Sequence, residues 1–158
     1  MIVAPGQRWQ EALERALLAL WVGGLWAVGL LAAPALFQML DSRSLAGDVA
    51  GHLFSRIHLF GLVAAAVLVF LALARDGARW LRGWRAWILL AMIAVTAAFE
   101  LALSPAIAEL RADAATRIAG SAAHARFRVL HGTASAAYLL NCLLGLVMVV
   151  AGLAGRRA

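Results

Sequence analysis

The chain has 158 residues, of which 65% are hydrophobic and only 14% are charged. A soluble domain normally has about a quarter of its residues charged, so this composition excludes an ordinary soluble protein and indicates a membrane protein. The net charge of +6 comes from arginine alone, in short clusters between apolar runs. That distribution is typical of membrane-flanking charge and disfavours nucleic-acid binding.

Four long apolar runs follow one another along the chain, each close to the ~20 residues that cross a bilayer as a helix. They predict spans at about 12–37, 50–75, 84–108 and 127–153. Runs this continuous exclude the alternation of a membrane strand, and lipid leaves helices as the remaining way to satisfy the backbone. The sequence therefore predicts an all-α, four-helix up-down bundle that forms a single membrane domain over residues 1–158.

Arginine counts predict the orientation of this bundle. Eight arginines lie at the two termini and in the second connection, whereas six lie in the first and third connections. The positive-inside rule places the richer side in the cytoplasm. We therefore expect a multi-pass protein of a bacterial-type inner membrane with both termini cytoplasmic. Its expected partners are membrane lipids, and a homo-oligomer or a larger membrane complex stays open. Four tryptophans mark the same side as an interfacial belt: Trp9, Trp80, Trp84 and Trp87.

The two longer connections predict helix beyond the membrane. Apolar residues recur at helical spacing after Ser44, which is a capping residue type. Residues 113–128 are rich in alanine, the best helix former. We therefore expect the second and fourth helices to project several turns past the bilayer on the outer side.

The two halves of the sequence resemble copies of one helical hairpin. Pro34 and Pro105 close the first and third apolar runs. His52 follows the first proline by eighteen residues and His124 follows the second by nineteen, each with an arginine four residues later. Two hairpins of one direction predict a pseudo-twofold axis along the membrane normal. Alanine-rich helices also resemble one another by chance, so the duplication is a hypothesis.

Several short motifs resemble the transmembrane-protein-205-like family. They are Trp21–Trp26, Pro34–Phe37, Leu45–Phe54, and the closing motif Phe127–Gly132 followed by Asn141. The aromatic residue that often follows the Leu-Phe element in that family is replaced here by Ser55–His58. The resemblance implies a four-span membrane protein without an established reaction.

Glu100 is the only acidic residue inside an apolar run. An ionised carboxylate in hydrocarbon is costly, which makes it a candidate functional residue. A structural alternative is an ion pair with Arg56 or Arg128, which we expect at similar depth. A proton relay or a metal-ligand role is the functional alternative.

Two histidines and a tyrosine complete the candidate polar site. His58 and His131 lie near the outer ends of the second and fourth helices, which are diagonal in an up-down bundle. With Glu100 they are the metal-ligand candidates, for copper or for a bis-histidine haem. The alternative is that both imidazoles simply bond to backbone or to Glu100. Tyr138, the only tyrosine, could donate to Glu100 or to a ligand.

His52 and His124 are expected at the outer rim of the bundle. Each shares a helical face with the arginine four residues later. The rim would attract anions or lipid phosphates, or else simply face the head groups.

The sequence does not indicate an enzyme, because it contains no recognisable nucleophile–base motif or phosphate-binding loop. Our leading hypothesis is a polytopic inner-membrane protein whose outer His/Glu/Arg site binds or passes a metal, haem or a small cationic solute. A non-catalytic scaffold or accessory subunit is the first alternative. A cofactor-dependent membrane oxidoreductase is the second.

Overall fold

The computed structural model describes residues 5–113, 116 and 118–154. Every regular element in this part of the chain is helical, and four stretches are long and apolar enough to cross a membrane. The predicted all-α four-helix architecture is therefore confirmed. The elements are α1 (Pro5–Trp26), a first π segment (Ala27–Ala32), α2 (Ala33–Met39), α3 (Arg43–Asp76), a 3₁₀ turn (Gly77–Arg82), α4 (Trp84–Ala98), a second π segment (Phe99–Leu103), α5 (Ser104–Ala112) and α6 (Ala122–Ala154).

Within the described residues these elements form four rods. Rod 1 is α1 with the first π segment and α2, rod 2 is α3, rod 3 is α4 with the second π segment and α5, and rod 4 is α6. Consecutive rods pack against each other and rod 1 also packs against rod 4, as in an up-down bundle. We call the end with residues 40–42 and 118–121 the distal end, and the opposite end the terminal end.

Rods 2 and 4 are longer than a bilayer is thick. α3 and α6 contain 34 and 33 residues. At ~1.5 Å per residue each is about 50 Å long, against ~30 Å of hydrocarbon. Both rods are therefore several turns longer than the hydrocarbon is thick.

The starts of these two helices differ from the prediction. Ser42, rather than Ser44, caps α3, and its Oγ accepts the Leu45 amide at 3.3 Å. α6 begins at Ala122 instead of near residue 113: Asp113 is extended, and the left-handed φ of 86° at Gly120 cannot be part of a right-handed helix. Residues 114, 115 and 117 of the predicted helix lie outside the described residues.

Pro34 and Pro105 do not end their rods, since helix continues on both sides of each. In both rods a π segment ends two residues before the proline. Proline has no N–H to donate, and its ring clashes with the carbonyl four residues earlier. The wider π turn changes the hydrogen-bonding register at that point. The same arrangement in rods 1 and 3 supports the hypothesis of a repeated hairpin.

Glycines allow the rods to approach closely around a buried tryptophan. Trp21 is completely buried in rod 1. A Cβ atom at Gly61 of rod 2 would lie 2.1 Å from its Nε1, and one at Gly145 of rod 4 would lie 2.6 Å from Val22 Cγ2. Small residues at these positions therefore set the separation of the rods, as in other membrane bundles.

One buried polar link joins rods 3 and 4. Asn141 Nδ2 donates to Thr96 Oγ1 at 3.0 Å, and that hydroxyl donates to the Met92 carbonyl at 2.8 Å. Asn141 and Thr96 are both buried. Such a bond between membrane helices contributes about 0.6 kcal/mol on average and fixes their relative register.

Candidate functional site

The second π segment places Glu100 against α3. Its Oε2 accepts the Ser55 hydroxyl at 2.9 Å, and its Oε1 lies 2.9 Å from His58 Nδ1. Ser55 and His58 are three residues apart and so share one face of α3. An ionised carboxylate can only accept, which places a proton on His58 Nδ1. We call these three residues the Glu100 cluster.

The Glu100 cluster is enclosed by aromatic rings. His58 is buried, and Phe99 meets its ring edge-on with centroids 4.5 Å apart. The Tyr138 ring is 5.8 Å from His58 and 4.9 Å from Phe54. Phe99 and Tyr138 therefore pack around the His58 imidazole, which is buried.

Tyr138 also connects rod 4 to rod 1. Its hydroxyl donates to the carbonyl of Leu25, just before the first π segment. Gly29 makes room for the ring, since a Cβ atom there would lie 2.6 Å from Tyr138 Cε1. The tyrosine therefore bonds to backbone, and the expected donation to Glu100 does not occur.

A cavity of about 780 Å³ occupies the distal half of the bundle, with all four rods in its wall. This volume lies within the range of ~300–1,000 Å³ that small-molecule sites usually have. Both π segments contribute to the wall, through Gly29 and Leu30 on one side and Phe99 on the other. Five aromatic residues line it: Trp26, Phe37, Phe54, Phe99 and Tyr138.

An arginine in this wall is already neutralised. Arg111 Nη1 donates to the Gly47 carbonyl at 2.7 Å and to Asp48 Oδ1 at 3.2 Å. Gly51 lies beside the guanidinium, since a Cβ atom there would be in van der Waals contact with Nη1 at 3.4 Å. The bonds join α5 to the start of α3 at the distal end.

Ser55 connects the cavity with the Glu100 cluster. Its side chain lines the cavity wall and donates to Glu100. The carboxylate itself is half-buried behind this wall. A solute in the cavity would therefore interact with the Glu100 charge through Ser55 and Phe99.

The expected ion pair with Glu100 is not found among the described residues. Arg56 and Arg128 are both exposed, and within the described ranges neither lies within 4.0 Å of a carboxylate oxygen. Ser55 and His58 instead supply one donor to each carboxylate oxygen.

The structure separates the two histidines that were proposed as a pair. His131 is exposed, lines the cavity and stacks on Phe127 with ring centroids 5.7 Å apart, whereas His58 is buried against Glu100. In the described part of the chain, no three His, Cys, Asp or Glu side chains form a group that could hold a metal. These residues therefore do not assemble the predicted metal triad.

The rim histidines bond to nearby backbone. His52 Nδ1 lies 2.8 Å from the Asp48 carbonyl oxygen, and His124 Nδ1 lies 3.0 Å from the Thr116 carbonyl oxygen. A carbonyl only accepts, so both Nδ1 atoms carry protons. Of these two rim histidines, only His52 lines the distal cavity.

Sequence reasoning missed two parts of this site. Ser55 could have been found, because it lies one helical turn before His58 and so shares its face. The bond between Arg111 and Asp48 had no comparable signal, since the two residues are far apart in the chain and an arginine near a helix end usually faces solvent or head groups.

Four apolar rods, a distal cavity and a buried polar cluster define an integral membrane four-helix bundle. The sequence matches the family described as "Domain of unknown function (DUF4149)" over residues 16–116, and the chain belongs to that family. No curated protein and no solved structure matched the chain. The matched range includes the Glu100 cluster and Arg111, whereas Tyr138 and His131 lie beyond it.

Proposed function

We propose that this protein binds a small organic cation with an apolar body in its distal cavity. The observation that supports this most directly is a cavity of about 780 Å³ with five aromatic residues in its wall and an intramembrane carboxylate directly behind it. Aromatic faces attract cations by about 0.5–2 kcal/mol per contact, more as water is excluded.

The charges around the cavity favour a cation over an anion. Arg111, the one arginine among the described residues of the wall, is bonded to Asp48 and to a backbone carbonyl. Glu100 is bonded to a hydroxyl and an imidazole rather than to arginine. At an effective dielectric constant of ~20, a carboxylate ~8 Å from a bound cation attracts it by about 2 kcal/mol.

The same contacts favour an organic cation over a metal ion or haem. A metal needs several converging ligands, and in the described part of the chain no three His, Cys, Asp or Glu side chains form such a group. Binding rather than catalysis is the proposed activity, because Ser55 donates to Glu100 instead of to a histidine base.

We also propose kinship with transmembrane-protein-205-like proteins. The motifs Trp21–Trp26, Pro34–Phe37 and Leu45–Phe54 all fall inside the matched range. A bacterial-type inner membrane, with both termini cytoplasmic, is the proposed location. The arginine excess at the terminal end supports that orientation.

Tetraphenylphosphonium and tetraphenylborate test the proposed function, because they have nearly the same size and shape but opposite charge. Binding is measured by equilibrium dialysis on the purified protein in lipid nanodiscs, with empty nanodiscs subtracted. We expect the phosphonium to bind at least tenfold more tightly, equivalent to about 1.4 kcal/mol. Equal specific binding of the two ions, or no specific binding of either, would contradict the proposal.

Glu100→Gln tests the role of the carboxylate. The amide keeps the shape and loses the charge, so the phosphonium affinity should fall by about thirtyfold, equivalent to about 2 kcal/mol. Glu109→Gln is the matched control, because Glu109 is an exposed carboxylate on α5, outside the cavity wall. The charge argument fails if both variants bind like the parent protein or lose affinity equally.

A further inference from the structure

A second cavity, of about 880 Å³, lies at the terminal end of the bundle. The 3₁₀ turn, the adjoining ends of α1, α3 and α4, and the last turns of α6 surround it. We call it the terminal groove. Its apolar floor includes Leu18, Leu68, Leu89 and Met148. Four arginines and three carboxylates also line it, which leaves an excess of one positive charge.

Two of these arginines form ion pairs with all three carboxylates. Arg15 pairs with Glu11 at 2.8 Å. Arg75 bonds to Glu14 at 3.2 Å through Nη1 and to Asp76 at 3.0 Å through Nε. Among the described residues of the groove, every carboxylate is therefore within ion-pair distance of Arg15 or Arg75.

Arg79 and Arg85 are the other two arginines of the groove. Both are exposed, and no carboxylate oxygen of the described residues lies within 4.0 Å of either. Each guanidinium can donate two parallel hydrogen bonds to one phosphate. Two unpaired guanidinium groups in one groove form a basic site that a bound anion would complete.

The backbone holds these arginines at one turn of the chain. Gly77 ends α3 with a φ of 57°, and Gly83 adopts an extended conformation before α4. Between them the 3₁₀ turn buries part of Trp80 against the core, while Trp84 remains exposed beside Arg85. Tryptophan prefers the depth of the head groups, so the pair of arginines lies where lipid phosphates are found.

We infer that the terminal groove binds an anionic phospholipid, with Arg79 and Arg85 on its phosphate. The excess of one positive charge suits a singly charged phosphodiester. Trp84 and the apolar floor suit the glycerol backbone and the first part of the acyl chains, which a soluble phosphate lacks. This site lies at the opposite end of the bundle from the distal cavity and shares none of its lining residues, so its test is independent of the proposed function.

Quenching of tryptophan fluorescence by brominated lipids tests the inference on the native protein. Brominated phosphatidylglycerol and brominated phosphatidylcholine are compared in bilayers of matched composition. We expect the anionic lipid to occupy the quenching site about fivefold more often. The double variant Trp80→Phe with Trp84→Phe should remove most of this difference, because both tryptophans line the groove. Equal quenching of the native protein by the two lipids would overturn the inference.

Substitution of the arginines assigns the effect to the groove. The double variant Arg79→Gln with Arg85→Gln should bring the lipid preference close to one. Arg82→Gln is the matched control, because Arg82 is exposed on the same turn but does not line the groove. A double variant that keeps the preference, or a control that loses it equally, contradicts the assignment. Displacement of the brominated lipid by excess inorganic phosphate would instead indicate a soluble anion site, which also overturns it.

Discussion

Gly61 lies opposite Trp21, whose ring is fully buried and has no free space to move into. A methyl group there overlaps the indole, so Gly61→Ala should lower the free energy of unfolding by about 1–3 kcal/mol. Gly23→Ala is the control, because a Cβ atom at Gly23 has nothing within 4 Å. The control should be neutral or stabilise by up to ~1 kcal/mol through helix propensity. Equal stabilities of the two variants in reversible denaturant unfolding in micelles would refute this packing.

Ser55 is one of two donors to Glu100, so its removal leaves Oε2 without its partner. We expect Ser55→Ala to cost about 1–3 kcal/mol of unfolding free energy, measured in the same way. Ser135→Ala is a useful comparison, because the Ser135 hydroxyl donates only to the His131 carbonyl of its own helix. That variant should unfold like the parent. A larger loss for Ser135→Ala than for Ser55→Ala would mean that the Glu100 cluster contributes little to stability.

One side-chain contact of Glu100 can be predicted from the sequence, and another cannot. The contact between Glu100 and His58 follows from depth along two helices, because lipid cannot solvate the carboxylate and His58 is near it. Whether Ser55 or Arg56 bonds to Glu100 depends on how α3 is rotated about its own axis. Adjacent residues point about 100° apart, and hydropathy does not fix rotation that finely.

Among the contacts between helices, hydrogen bonds from Arg111 join α5 to the start of α3. Arg111→Gln should lose the bond to Asp48 and weaken that to the Gly47 carbonyl. Amide hydrogen exchange in residues 104–112 should then become about tenfold faster, equivalent to ~1.4 kcal/mol of local stability. Arg56→Gln, at an exposed position of α3, should leave these rates unchanged. Unchanged exchange in the Arg111 variant would show that apolar packing alone holds α5.

The spans themselves are predictable because hydrocarbon thickness sets both their length and their composition. The π segments are not predictable from the sequence, since Pro34 and Pro105 are usual helix-ending signals. The wider turns accommodate these prolines only because α2 and α5 still pack against α3 and α6 beyond them. Tertiary contacts of that kind do not appear in a hydropathy pattern.

For the whole molecule, the arginine counts predict a sidedness that cysteine labelling can test. In a Cys142→Ala background, Ala122→Cys should react with an impermeant maleimide added outside intact cells. Ala78→Cys should react only after the membrane is opened. Both positions are exposed and lie at opposite ends of the bundle. The reverse labelling pattern would refute the orientation while leaving the four-rod fold unchanged.

The most direct test of the central claim is to map where an organic cation binds. A phosphonium that carries a benzophenone is photocross-linked to the protein in nanodiscs, and the modified residues are identified by mass spectrometry. We expect adducts within residues 44–55 and 131–142, because both stretches contain residues that line the distal cavity. Excess tetraphenylphosphonium should suppress these adducts, and tetraphenylborate should not. Adducts confined to lipid-facing residues such as Leu143 and Leu146, or adducts that neither ion suppresses, would contradict it.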